Sequence, residues 1–180
     1  MLLAFPKLLD MVNEHIERLD YAREPMNLYN PVKYILSLGG KRIRPVMMLM
    51  AYNMYREDVD KILDPALALE IYHNFTLLHD DLMDNADVRR GKPTVHKRWD
   101  ANTAILSGDV MLSLADVYMS RVDDEYFRKV ITTFHRTSIE IAEGQQYDMD
   151  FETRSDVTEA EYVEMIRLKT SVLLACALKI

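Results

Sequence analysis

Apolar residues recur along this chain at intervals of three and four, the spacing that lines one face of an α-helix. Leu8, Met11, Val12, Ile16 and Leu19 fall on one side of a segment from residue 2 to about 20, with charged residues on the other. An amphipathic helix is predicted there. A loop with Pro25 and Asn30-Pro31 follows, and further helices are predicted over 31–38, 43–55, 65–84, 100–121, 124–150 and from 158 onward. Asp64-Pro65 reads as N-cap and first turn of the 65–84 helix. Thr158 and Glu161, three apart, make a capping box for the last helix. Gly91-Lys92-Pro93 breaks the path between helices, since proline cannot sit in a helix interior without losing a hydrogen bond. Asp123-Asp124 suits a turn. Met47, Met48, Met50 and Met54 lie at helical spacing beside Val46 and Leu49 and read as core filling. No repeat, linker or low-complexity stretch divides the chain, so residues 1–180 are expected to form a single all-α domain, a helical bundle with its functional groups projecting inward.

Composition narrows the classes of function. Of 180 residues, 49% are hydrophobic and 28% charged, as in a soluble globular domain, while five glycines and six prolines are few enough to favour helices. The net charge of -7 argues against nucleic-acid binding and makes the basic stretches local features whose partner is a small anion. Cys176, the one cysteine, lies in an apolar run and reads as a core residue in a reducing cytoplasm. Met1 to Pro6 are apolar but short and lack a positive flank, so neither a signal peptide nor stable membrane insertion is expected.

The chemistry concentrates at the end of the 65–84 helix. Asp80, Asp81 and Asp84 in Asp80-Asp81-Leu82-Met83-Asp84 place three carboxylates together, and Arg89-Arg90-Gly91-Lys92 follows at once. Like charges so close resist ionising. A hard cation such as Mg2+ resolves the conflict, because it takes oxygen ligands from one or two carboxylates and completes its shell with water and substrate phosphate. The alternative of a calcium loop fails on spacing, since Ala86 stands where that motif needs glycine. Upstream, Leu38-Gly39-Gly40-Lys41-Arg42-Ile43-Arg44-Pro45 offers a close backbone approach and three cations. A helical turn there would point Lys41 and Arg44 at one spot and turn Arg42 elsewhere, which makes a second anion site. His73 stands seven residues before Asp80, two helical turns, and so shares its face.

These motifs resemble those of the trans-isoprenyl diphosphate synthases. The likeness rests on G-G-K-R-x-R-P, an E-x-x-H helix ending in H-D-D-x-x-D, and R-R-G-x-P-T-x-H in this order and spacing, with Gly144-Gln145-Gln146-Tyr147-Asp148 similar to G-Q-x-x-D and Lys169-Thr170 to a K-T pair. It implies the isoprenoid synthase type of helical bundle and a head-to-tail condensation of isopentenyl diphosphate with an allylic diphosphate, giving geranylgeranyl or farnesyl diphosphate. It further implies Mg2+ at Asp80, Asp81 and Asp84, with Arg89 and Lys169 adding fixed positive charge. Lys41, Arg44, His73 and Arg90 would hold isopentenyl diphosphate, and Arg89, Lys169 and Thr170 the allylic diphosphate. Gln145 and Asp148 would line the same cavity. Phe75, five residues before Asp80, would floor the cavity and limit product length beside the smaller Thr76. A homodimer is the expected assembly.

Two departures from the family pattern shape the expectation. A second aspartate-rich motif is absent, and the chain stops inside the apolar run that opens at Lys169. The chain is therefore read as an N-terminal portion of a larger fold, weakly active or inactive alone. Two rivals stand beside this reading. A class I terpene cyclase has no need of Lys41, Arg44 and His73, and a non-catalytic subunit has little reason to keep the aspartates.

Overall fold

A computed structural model of the chain describes residues 2–19 and 23–180. The described residues are helical apart from loops and one two-stranded hairpin, in two compact units, Met1–Arg121 and Val122–Ile180.

In the first unit, α1 (Phe5–Glu17), α2 (Met26–Ser37), α3 (Ile43–Asn53), α4 (Leu63–Met83), α5 (Val95–Arg98) and α6 (Ala101–Met119) surround a core centred on α4. The reason is visible in its composition. From Pro65 to Tyr72 every residue of α4 is buried, and a helix apolar on all sides must sit in the middle of its neighbours. Leu8 and Val12 of α1, Ile35 of α2, Leu49 of α3 and Met111 of α6 complete the core. Each fully buried side chain of this kind contributes roughly 1.5–3 kcal/mol. Gly108 lets α6 approach closely, because a Cβ there would overlap the His79 ring. Asp100 caps α6 by accepting from the Thr103 backbone N–H at 2.9 Å.

Several expectations are corrected. The expected first helix is shorter at both ends, and Asp20, its last predicted residue, lies outside the described residues. α2 starts at Met26, not residue 31. Pro31 forfeits one backbone hydrogen bond, but its ring is buried in the core. Asp64 does not cap α4: the helix starts at Leu63, and the Asp64 carboxylate instead meets His15 Nε2 at 2.6 Å and accepts from Arg121 Nη1 at 3.0 Å. Met48 is core, whereas Met50 and Met54 are exposed. The segment after α4, expected as a simple break, folds into β1 (Val88–Arg89) and β2 (Lys92–Pro93), antiparallel with Arg89 opposite Lys92, and then into the short α5.

The second unit holds α7 (Asp124–Phe151), α8 (Glu159–Ile166) and α9 (Val172–Lys179), with Phe134, Ile141, Met165, Leu168 and Leu173 buried among them. The capping box is present: the Thr158 hydroxyl accepts from the Glu161 N–H while the Glu161 carboxylate accepts from the Thr158 N–H. The expected unbroken helix from 158 is instead interrupted by a π-helical turn, Arg167–Ser171. No helix among the described residues is long and apolar enough to cross a membrane.

Candidate active site

α4 carries Glu70, His73, Asn74, Phe75, Thr76, Asp80 and Asp81 on its own turns and ends with Asp84 as C-cap, whose N–H donates to the Asp80 carbonyl at 2.8 Å. The chain then reverses. Asn85 takes a left-handed φ of 49°, and the hairpin turns through Arg90 (φ 52°) and Gly91 (φ 76°), the pair of positive φ values that a two-residue turn of the mirror-image type requires. Three contacts anchor it. Thr94 Oγ1 donates to the Ala86 carbonyl at 2.7 Å, Tyr34 Oη to the Pro93 carbonyl at 2.7 Å, and Lys97 Nζ to Asn85 Oδ1 at 3.0 Å.

This reversal brings Arg89 back onto the aspartates. Its Nε donates to Asp81 Oδ2 at 2.7 Å and its Nη2 to Asp81 Oδ1 at 2.6 Å, a bidentate pair on a buried carboxylate. The guanidinium pKa rises, first through the Asp81 hydrogen bonds and then through the charges of Asp81, Asp80 and Asp84. Asp81, expected as a metal ligand, has both oxygens hydrogen-bonded to Arg89, and Asp80 and Asp84 stand one turn apart beside it. Among the described residues no three His, Cys, Asp or Glu side chains group closely enough to hold a metal ion by themselves. Two carboxylates completed by water and phosphate oxygens are an ordinary Mg2+ set, so the residues fit that ion.

Earlier on α4, Glu70 accepts from Arg42, and His73 stands two turns before Asp80. His73 is held neutral, its pKa lowered to about 3, first by burial and then by the charges of Arg44, Arg90, Arg89 and Arg42. The charges of four guanidiniums therefore act on one imidazole. Because the folded pKa lies below the unfolded 6.5, the unfolded chain takes up this proton first, and stability falls as pH drops from about 6.5 toward 3. Two of the four arginines are neutralised by carboxylates, Arg42 by Glu70 and Arg89 by Asp81. Among the described residues Arg44 and Arg90 have no carboxylate partner, and Arg44 Nε is buried without a hydrogen bond. Burial lowers the pKa of both. Arg90 donates to the Gly39 carbonyl and lies over Gly40, where a Cβ would stand 2.9 Å from its Nη2.

The helical turn expected at Lys41 to Arg44 is not formed. Arg42 is in the left-handed region (φ 47°, ψ 34°) as N-cap of α3, so Lys41 lies in the exposed loop while Arg44 sits half-buried in the first turn. The inward Arg42 was expected only to face elsewhere. Its signal was Glu70, an acid on an otherwise apolar stretch of α4, which demands a buried partner. Phe75 is half-buried in edge contact with Tyr72 (5.5 Å between centroids) and His79 (4.8 Å). The Thr76 hydroxyl donates to the His73 carbonyl at 2.8 Å.

In the second unit, Lys169 lies in the π-helical turn and its Nζ donates to Asp148 Oδ2 at 2.6 Å. Gly144 makes this possible, because a Cβ there would overlap the Lys169 backbone nitrogen. Gln145 is half-buried on the next position of α7, and Thr170 is exposed beside Lys169. The G-Q-x-x-D and K-T segments thus meet within this unit.

An all-α fold with an aspartate-rich helix end folded against arginines defines a protein of the isoprenoid synthase class. The chain belongs to the polyprenyl synthetase family, whose sequence profile matches residues 25–180. It is 45% identical over 171 residues to the geranylgeranyl diphosphate synthase of Methanosarcina mazei, covering 94% of this chain and 53% of that protein. It is 40% identical over 189 residues to the geranylfarnesyl diphosphate synthase of Natronomonas pharaonis, covering 95% and 55%. A solved structure of a geranylgeranyl pyrophosphate synthase superposes with a TM-score of 0.94 at 49% identity, covering 98% of this chain and 54% of that one. The chain spans about half the length of the relatives it matches.

Proposed function

We propose that this chain carries the isopentenyl diphosphate site and the first metal-diphosphate site of a polyprenyl diphosphate synthase, which condenses isopentenyl diphosphate with an allylic diphosphate. One observation carries the reading: on one hairpin, Arg89 is paired bidentately with Asp81 while the adjacent Arg90 donates to the Gly39 carbonyl, so the turn ties the acidic end of α4 to the glycine-rich basic loop.

Arg44 and Arg90 supply unneutralised positive charge for the isopentenyl diphosphate, with Lys41 reaching in from the loop. His73, neutral, donates one N–H to a phosphate oxygen without adding charge. Asp80 and Asp84 would hold Mg2+, which would supply Lewis-acid stabilisation of the diphosphate's charge. Asp81 keeps Arg89 aimed at the oxygens where negative charge accumulates as the allylic carbon–oxygen bond breaks. The double bond of isopentenyl diphosphate then attacks the allylic carbon, and the resulting cation loses a proton from the adjacent carbon to the released diphosphate. The family resemblance assigns Arg89, Lys169 and Thr170 to the allylic diphosphate, and Gln145 and Asp148 to the lining of that cavity. Phe75, braced by Tyr72 and His79, floors the cavity with Thr76 beside it, and geranylgeranyl or farnesyl diphosphate is the product. A homodimer in the cytoplasm is the expected setting. The 180-residue chain alone is expected to turn over slowly or not at all.

Equilibrium binding of isopentenyl diphosphate tests this. Saturable binding is expected, weakened roughly tenfold or more in Arg44→Gln and in Arg90→Gln, each of which removes a charge-assisted contact. Absence of saturable binding, or variants that bind as well as the original, would overturn it.

A further inference from the structure

We propose that Arg42 and Glu70 form a positioning latch, a buried ion pair that holds the loop from Gly39 to Arg44 so that Arg44 and Arg90 face His73; its consequence for ligands rests on the diphosphate reading above.

One arginine joins three helices, two through its guanidinium and one through its carbonyl. Arg42 Nη1 donates to Glu70 Oε1 on α4 at 2.5 Å, and Nη2 donates to the Leu36 carbonyl in the last turn of α2 at 2.7 Å, one of the carbonyls that a helix end leaves without a partner. Its own carbonyl accepts the first helical bond of α3, from Val46 N–H at 3.2 Å. Asn74 Nδ2 donates to Glu70 Oε1 at 3.0 Å and to the Glu70 carbonyl at 2.8 Å, which fixes the carboxylate from its own helix. Both charged side chains are 3% exposed, so neither reaches solvent.

The backbone explains why such a fastening is needed. Gly39 (φ 77°), Gly40 (φ 147°) and Arg42 (φ 47°) all occupy left-handed φ. For arginine that conformation costs of order 1 kcal/mol and persists only where surrounding contacts impose it. The loop set by these residues carries the Gly39 carbonyl that Arg90 binds and ends two residues before Arg44. Glu70 lies one turn from His73 on the same face of α4. Its charge also acts on Arg44 and Arg90, so one buried carboxylate holds the loop and steadies both unpaired cations.

The double variant Arg42→Met/Glu70→Leu tests the latch, because exchanging a buried ion pair for apolar residues of similar size commonly preserves stability. A merely structural pair would leave everything intact. The latch predicts a melting temperature near the original, amide exchange at residues 38–44 faster by about tenfold or more, and affinity for metal-free inorganic pyrophosphate weaker by about tenfold or more. Unchanged exchange, or unchanged affinity beside faster exchange, overturns it. If the double variant does not fold, Arg42→Lys serves instead: an ammonium can meet Glu70 but cannot fork to Leu36 as well, so exchange should still quicken, and original rates would overturn the proposal. If the original chain binds no pyrophosphate, the diphosphate reading falls, and the latch stands or falls on exchange alone.

Discussion

Both units carry exposed charge pairs, such as Arg18 with Glu14 in the first, but they differ in the pairs they bury. In the first, Arg42 with Glu70 is buried and Asp81 is buried under Arg89. In the second, most pairs are exposed, such as Arg154 with Asp156 and Glu161 or Arg167 with Glu164, and the half-buried Lys169 with Asp148 stands apart. Solvated pairs of that kind do little for folding. A buried pair is expensive to desolvate and is weak evidence of stabilisation, so its presence in the first unit points to placement of groups rather than to holding the fold together. The half-buried pair of the second unit lies on the segments that resemble family motifs, which fits the same rule.

That contrast gives a ranked set of outcomes. Removing one partner of the buried pair should hurt most: Glu70→Gln strands the Arg42 charge and should cost about 3–5 kcal/mol by chemical denaturation, and a loss below ~1 kcal/mol would mean that the site is wetter than the structure indicates. Gly144→Ala comes next, at roughly 1–3 kcal/mol. Its Cβ would meet backbone of the π-helical turn, which cannot step aside, whereas at Gly108 the obstacle is the His79 ring, which can rotate. Equal losses at the two glycines would remove the distinction. The smallest effect is local: Thr158→Ala should cost ~1 kcal/mol through loss of the cap, seen as a small fall in melting temperature.

Much of this was legible in the sequence, and the parts that were not share a cause. The aspartates, the long apolar helix and the Thr158 capping box are set by local spacing, and spacing is what a sequence displays. The hairpin was missed because Arg90-Gly91 lacks the Asn-Gly or Asp-Gly signal of its turn. Arg89 folds onto Asp81 only through that turn, so the commitment of Asp81 could not be read ahead of it. Asp64 has the composition of a cap, but His15 from α1 and Arg121 after α6 claim its carboxylate, and such long-range partners leave no mark nearby. Arg42 sits in a run of three cations where nothing local tells which one turns inward. Glu70, an acid amid apolar neighbours, was the available clue.

In the proposed function Asp80 and Asp84 hold a divalent cation that, with the nearby arginines, binds a diphosphate. Calorimetric titration of pyrophosphate with and without Mg2+ tests it most directly. Mg2+ should tighten binding by the original chain about tenfold or more, and Asp80→Asn and Asp84→Asn should each abolish that gain. A magnesium effect that persists undiminished in both variants would contradict the account.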